Sequence, residues 1–297
     1  MQAVVVPIVP AIAIRRILYA TDFSSAAKKA LPIVGAIARR YHSQVYIANV
    51  CSPLPYTMVT PEAVCIMERK REQESLAALD GLLHSPELDG VAATALTKTG
   101  DPAQELKFVV RDHNIDLAVL GTHGRTGLMR MLMGSVAEEL FRNLECPVLT
   151  VGPRFANRLA PGDREIGTII YPTDLSSRSK AAFRYAVSLA VEYQAQIVLL
   201  HTIPARNALS SIATETAALA RSSVKRLFCS DIDPRCDFQI VVDFGEPAER
   251  ILACAREFQA GLIAFGVKTA GEASAHFRST VAYRVILNTE SAVLTCR

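Results

Sequence analysis

Several things are missing from this 297-residue chain, and each absence removes a class of function. An excess of one charge is missing: 32 Lys and Arg stand against 29 Asp and Glu, a net of +3, and the basic residues are scattered rather than blocked. Nucleic acid and anionic membrane surfaces are therefore not expected partners. Paired cysteines are missing too. The seven present (Cys51, Cys65, Cys146, Cys229, Cys236, Cys254, Cys296) make an odd count without a CxxC, and most lie in apolar runs, as buried free thiols do. This predicts a reducing, cytoplasmic setting. The first fourteen residues, MQAVVVPIVPAIAI, are apolar, yet they lack the cationic start of a signal peptide and are too short to span a bilayer. Pro7 and Pro10 argue against a helix there, so the segment is expected to be an arm packing on this protein or a partner.

Catalytic signatures are equally scarce. The histidines (His42, His84, His113, His123, His201, His276) show no H-E-x-x-H spacing, so no zinc site is read from them. Ser135 lies in GSVAE, which is not a G-x-S-x-G nucleophile elbow. No G-x-x-x-x-G-K-[ST] loop is present, and no G-x-G-x-x-G follows the first strand. A dedicated enzyme is the weaker expectation.

What is present is a full core, with 50% hydrophobic and 21% charged residues, and a sequence written twice. Tyr19-Ala-Thr-Asp22-Phe-Ser-Ser25 recurs 152 positions later as Tyr171-Pro-Thr-Asp174-Leu-Ser-Ser177. Further on the offset is 145: Gly100-Asp-Pro-Ala matches Gly245-Glu-Pro-Ala, and Gly134-Ser-Val-Ala137 matches Ser279-Thr-Val-Ala282. Two copies of one domain follow, residues 1–152 and 167–297, joined by a Pro- and Gly-containing linker at 153–166.

In the first copy the pattern predicts strands at 16–20, 44–51, 91–97, 116–120 and 147–151. Helices are predicted from 24 or 25 to 41, and at 61–83, 102–113 and 135–144. Ser24 or Ser25 caps the first helix, and Pro61 opens the second. Apolar strands between amphipathic helices imply a parallel sheet covered on both faces, a doubly wound α/β fold.

Ligands of such sheets bind beyond the carboxyl ends of the strands. Asp22 follows the first strand there, and GTHGRTGLMRMLMGS follows the fourth. Gly121 lets a backbone approach closely, and Gly124 and Gly134 are expected to supply backbone freedom, including positive φ. Ser135 opens a helix whose first N–H groups favour an anion, with Arg125 and Arg130 nearby to add charge. His123 is expected as a backbone or phosphate hydrogen-bond partner rather than a base.

The spacing Gly121-x2-Gly124-x9-Gly134-Ser135, with Ala20-Thr21-Asp22-x-Ser24, resembles the nucleotide-binding signature of the universal stress protein family. The resemblance covers nearly the whole chain as two tandem domains. It implies two five-stranded, Rossmann-like domains of the adenine nucleotide alpha hydrolase-like type, with ATP at the carboxyl edge and Mg2+ accompanying its phosphates. Asp22 and the backbone near Val50 would contact the nucleoside, and Gly121, Gly124, Gly134, Ser135 and Val136 would surround ribose and phosphates. Ala20, Thr21, Thr122, His123 and Arg125 complete the implied site. The family also implies pairing of domains through their last strands, hence an internal pseudo-dimer or a homodimer, and a protein partner of unknown identity.

The second copy departs from the signature. Gly266 and Asp174 match Gly121 and Asp22, but Thr269 and Ser279 replace the two later glycines. Thr280 keeps a hydroxyl at the helix start. A degenerate second site at Asp174, Gly266 and Thr280 is expected, and Asp174 acting only as a helix cap stands beside it as an equal alternative. Three functions remain open: an ATP-binding regulatory or stress-response protein, a slow ATPase or phosphotransferase, and a nucleotide-free structural dimer module.

Overall fold

The computed structural model describes residues 12–53, 60–122, 133–152, 155, 166–208, 212–267 and 280–297. His123, Gly124, Arg125, Arg130, Thr269, Ser279 and the apolar arm up to residue 11 lie outside the described residues. The chain divides into two units. One is Ala13–Ala156; the other is Asn157–Arg297, to which Ile12 also belongs.

In the first unit β1 (Arg16–Ala20) leads through α1 (Ser25–Lys28) and α2 (Leu31–Tyr41) to β2 (Gln44–Cys51). Next come α3 (Pro61–Leu83), β3 (Ala93–Thr99), α4 (Pro102–Asp112), β4 (Leu117–Gly121), α5 (Ser135–Asn143) and β5 (Val148–Val151). All strand pairs are parallel, and the order is β3-β2-β1-β4-β5. Ile17, Leu18 and Tyr19 are successive residues of β1 and all are fully buried, as a strand covered on both faces requires. Leu18, Ala48 and Leu120 pack with Leu106 and Val109 of α4 and Leu140 of α5.

The second unit repeats this plan. It runs β6 (Thr168–Thr173), α6 (Ser177–Tyr193), β7 (Gln196–Ile203), α7 (Ala213–Phe228), β8 (Phe238–Phe244), α8 (Pro247–Glu257), β9 (Leu262–Gly266), α9 (Val281–Asn288) and β10 (Ala292–Cys296). Its order is β8-β7-β6-β9-β10, again parallel.

The single helix expected at 25–41 is two. Pro32 has no N–H to offer the Lys28 carbonyl and its ring crowds the preceding turn, so the chain closes α1 and restarts. Arg184 holds the corresponding place in the second copy, and α6 runs unbroken. The third strand begins two residues later than expected because Val91 is still held in a turn, donating to the Leu88 carbonyl at 2.9 Å. The cysteines are also less buried than expected: Cys236, Cys254 and Cys296 are buried, but Cys51, Cys146 and Cys229 are only partly so and Cys65 is exposed. Among the described residues no helix is long and apolar enough to cross a membrane.

Candidate functional site

In each unit the chain steps outward from the first strand to one edge, then returns to lay its fourth strand on the other side. The direction of strand progression therefore reverses between the first and fourth strands, the place where such sheets open a crevice at the strands' carboxyl ends.

The β1 side of the crevice is a turn locked by side chains. Thr21 Oγ1 accepts the Phe23 N–H at 3.0 Å, Asp22 Oδ1 accepts the Ser24 N–H at 3.0 Å, and Ser24 Oγ caps α1 by accepting Ala27 N–H at 3.1 Å. Phe23 consequently sits at φ 63°, a left-handed backbone that costs a bulky residue about 1–2 kcal/mol. Beneath it the buried Tyr19 hydroxyl donates to the Ala27 carbonyl at 2.8 Å, and burial pushes its pKa up to about 12.

On the β4 side Gly121 faces α1. A Cβ there would lie 3.0 Å from Ala27 Cα and 3.1 Å from the Ala26 carbonyl oxygen, so any larger residue would press on the helix backbone. Gly134 precedes α5 with φ −58° and ψ 144°, an ordinary extended backbone. The expectation that Gly134 supplies positive φ is therefore corrected. Its consequence is chemical instead: glycine has no side chain to cap α5, so among the described residues the N-cap position offers the first-turn N–H groups no side-chain acceptor.

Between these two sides lies a cavity of about 570 Å³. It gathers Ala20, Thr21, Asp22, Val50, Gly121, Gly134, Ser135 and Val136 from the expected site. Thr122 is not among its lining. This residue is buried and structural, donating its N–H to Val151 at 3.2 Å and accepting Gly134 N–H at 3.1 Å.

The cavity also has a wall that sequence reasoning missed. Phe23 and Asn49 line it, as do Arg71, Glu74 and Ser75 of α3. Asn49 Nδ2 donates to the Thr21 carbonyl at 2.7 Å, and its Oδ1 accepts Ser75 Oγ at 2.9 Å, tying α3 to the ends of two strands. Arg71 donates to the Ser52 carbonyl at 3.0 Å. The available signal was an amide in an otherwise apolar strand, facing a histidine at the matching position of the second copy.

The second copy builds the same turn. Thr173 Oγ1 accepts Leu175 N–H, Asp174 Oδ1 accepts Ser176 N–H, Ser176 Oγ caps α6, and Leu175 has φ 64°. Tyr171 donates to the Ser179 carbonyl just as Tyr19 does to Ala27. The cap is thus Ser176; Asp174 closes the turn before it. Burial raises the Asp174 pKa, but the Ser176 hydrogen bonds and Arg178 outweigh it and hold the carboxyl below its usual value. Gly266 again meets a helix, its absent Cβ lying 3.0 Å from the Arg178 carbonyl oxygen. Thr280 differs from its expected role. Its hydroxyl turns back to accept Tyr283 N–H at 3.3 Å, capping α9 from within the chain. At the cavity positions Ala20, Ala48 and Leu120 the second copy carries Pro172, Leu200 and Phe265, the last two buried.

Similarity to known proteins agrees with this architecture. The model of the universal stress protein family matches residues 13–152 and again 165–297. A universal stress protein of Methanocaldococcus jannaschii is 32% identical over 138 residues, covering 46% of this chain and 81% of that protein. The crystal structure of a universal stress protein from Archaeoglobus fulgidus superposes with a TM-score of 0.72 over 96% of this chain and 99% of that one. At 16% identity it speaks to the fold alone. A universal stress protein solved in complex with cAMP is 20% identical, with a TM-score of 0.34, over 44% of this chain and 97% of its own. Two successive matches of the family model, each falling on one copy of the repeat, make this chain a member of the universal stress protein family with tandem domains.

Proposed function

We propose that the first copy binds ATP in the cavity at the β1–β4 crevice and that the chain acts as a nucleotide-dependent regulatory protein in a stress response. The observation that carries this is the α5 N-terminus, which opens on the cavity without a side-chain cap. Its N–H groups and the Ser135 hydroxyl offer donors to a phosphate, reinforced by the helix dipole. Asp22 and the backbone of Val50 face the nucleoside, with Gly121 and Val136 between. His123, Gly124 and Arg125 belong to the same phosphate loop in this proposal.

Mg2+ fits as a passenger of the phosphates rather than of a protein cage. Among the described residues no group of three His, Cys, Asp or Glu side chains is placed to hold a metal, and Mg2+ keeps water and phosphate oxygens readily. The second copy is assigned no nucleotide, since its helix is capped by Thr280. Pairing of domains, within the chain or between two chains, and a cytoplasmic setting complete the proposal; free thiols at all seven cysteines are in keeping with the latter.

The test is extraction of bound nucleotide from the purified chain, identified by mass, followed by titration with ATP and, separately, cAMP. ATP binding is expected at one site per chain. Gly134→Ser adds an internal cap like that of Thr280, and is expected to raise stability by a few tenths of a kcal/mol while weakening ATP about tenfold. Unchanged affinity in Gly134→Ser would rule out the helix N-terminus as the phosphate site. Tighter binding of cAMP than ATP would reassign the ligand, and no binding of either would leave a structural dimer module.

A further inference from the structure

Asn49 lies near the carboxyl end of β2, is only 6% exposed, and lines the cavity. The orientation of its amide follows from its partners. A carbonyl only accepts, so the group 2.7 Å from the Thr21 carbonyl is the NH2, and Oδ1 is left to accept from Ser75 Oγ at 2.9 Å and Cys51 Sγ at 3.7 Å. One amide hydrogen is thereby used. The other has no protein acceptor among the described residues. Because Asn49 lines the cavity, that hydrogen is available to an acceptor on a molecule bound there.

The sheet order says which part of a nucleotide that acceptor belongs to. β2 and β4 flank β1 on opposite sides, so their ends are two strand spacings apart, about 10 Å. With phosphates at the α5 N-terminus beyond β4, the sugar lies over β1 and the base reaches β2, where Asn49 stands. We propose that Asn49 is a specificity-determining residue, donating its second amide hydrogen to a ring nitrogen of the purine base. This rests on the ATP-binding proposal above.

The second copy supplies the contrast. His201 occupies the matching position, and its Nδ1 lies 2.9 Å from the Thr173 carbonyl. Nδ1 must carry the proton, so Nε2 of the neutral ring is a lone pair. The strand end is locked in both copies, but the polarity left over is reversed: a donor at Asn49, an acceptor at His201. Asn49→His therefore keeps a donor for the Thr21 carbonyl, gives up the oxygen that accepts Ser75 Oγ, and removes the second amide donor.

The experiment measures binding of ATP, 1-deaza-ATP, 3-deaza-ATP and 7-deaza-ATP to the full chain and to Asn49→His, with a melting curve for each protein. In the wild type one analogue, the one lacking the recognised nitrogen, is expected to bind about tenfold more weakly than ATP. In Asn49→His that analogue and ATP are expected to bind alike. A wild type that binds ATP and all three analogues equally overturns the proposal without recourse to any variant. The same penalty persisting in a folded Asn49→His assigns recognition to another residue and overturns it too. A wild type that binds no ATP overturns the underlying ATP-binding proposal, and this one with it.

Discussion

The two copies differ in what they leave open, not in how they are built. Both have the same strand order, the same locked turn with a bulky residue at positive φ, the same buried tyrosine beneath it, and the same glycine beneath a helix. Asp22 and Asp174 each close that turn, so their repetition is explained by architecture and says nothing by itself about a ligand. The informative differences are where the second copy carries other side chains at the positions that line the first copy's cavity. Leu200 replaces Ala48, Phe265 replaces Leu120, and the Thr280 hydroxyl caps its helix where Gly134 has no side chain to do so. Repeated features mark the scaffold; unrepeated ones mark the site.

The strongest way to break this contrast is to write the second copy's side chains into the first. Ala48→Leu with Leu120→Phe is expected to fill the cavity and weaken ATP by about 100-fold, an overpacking penalty near 3 kcal/mol, while the far-ultraviolet circular dichroism stays unchanged. Retained affinity would show that the filled positions do not decide between the copies. Next in size is the shared glycine. Gly121→Ala and Gly266→Ala each place a Cβ about 3.0 Å from a helix backbone, and each is expected to lower stability in urea by about 1–3 kcal/mol. A large loss at one position and none at the other would end the claim that both are architectural.

The smallest effect is alkaline and should also be shared. Burial raises the pKa of both Tyr19 and Tyr171, that of Tyr19 to about 12 from an ordinary 10.0. The folded pKa lies above the unfolded one, so the stabilisation is whole below pH 10 and fades as pH rises from there through the folded value. Urea midpoints measured between pH 9 and 12 are expected to fall in the wild type. They are expected to fall less steeply in Tyr19→Phe and in Tyr171→Phe, by similar amounts. A flat wild-type profile would remove buried tyrosine ionisation from the account.

Much of this was legible from residues alone, for reasons of range. Strand and helix periods are local, so the elements came out within one or two residues, and the offset repeat exposed two domains before any contact was known. Pro32 was overlooked, although a proline inside a helical pattern is a break wherever it falls. Asn49 and Ser75 were not: they stand 26 residues apart and meet only because α3 packs across β2. Thr122, expected at the site, is buried and absent from the cavity lining, a placement that a polar residue after a strand does not announce. Gly134 lines the cavity but without the positive φ expected of it, since spacing identifies a glycine and not its backbone angles.

By itself, then, the sequence determined the tandem α/β plan and pointed to the segments after the first and fourth strands, while the strand order that makes them neighbours came from the structure. The first two depend on periodicity, chain order and handedness. Tertiary structure alone decided that Gly121 serves the helix beneath it, that α5 lacks a cap where α9 has one, and that Asn49 keeps an amide hydrogen without a protein acceptor among the described residues. Each of these is settled by which atoms come within hydrogen-bond or van der Waals range across distant segments, and no local pattern encodes that proximity.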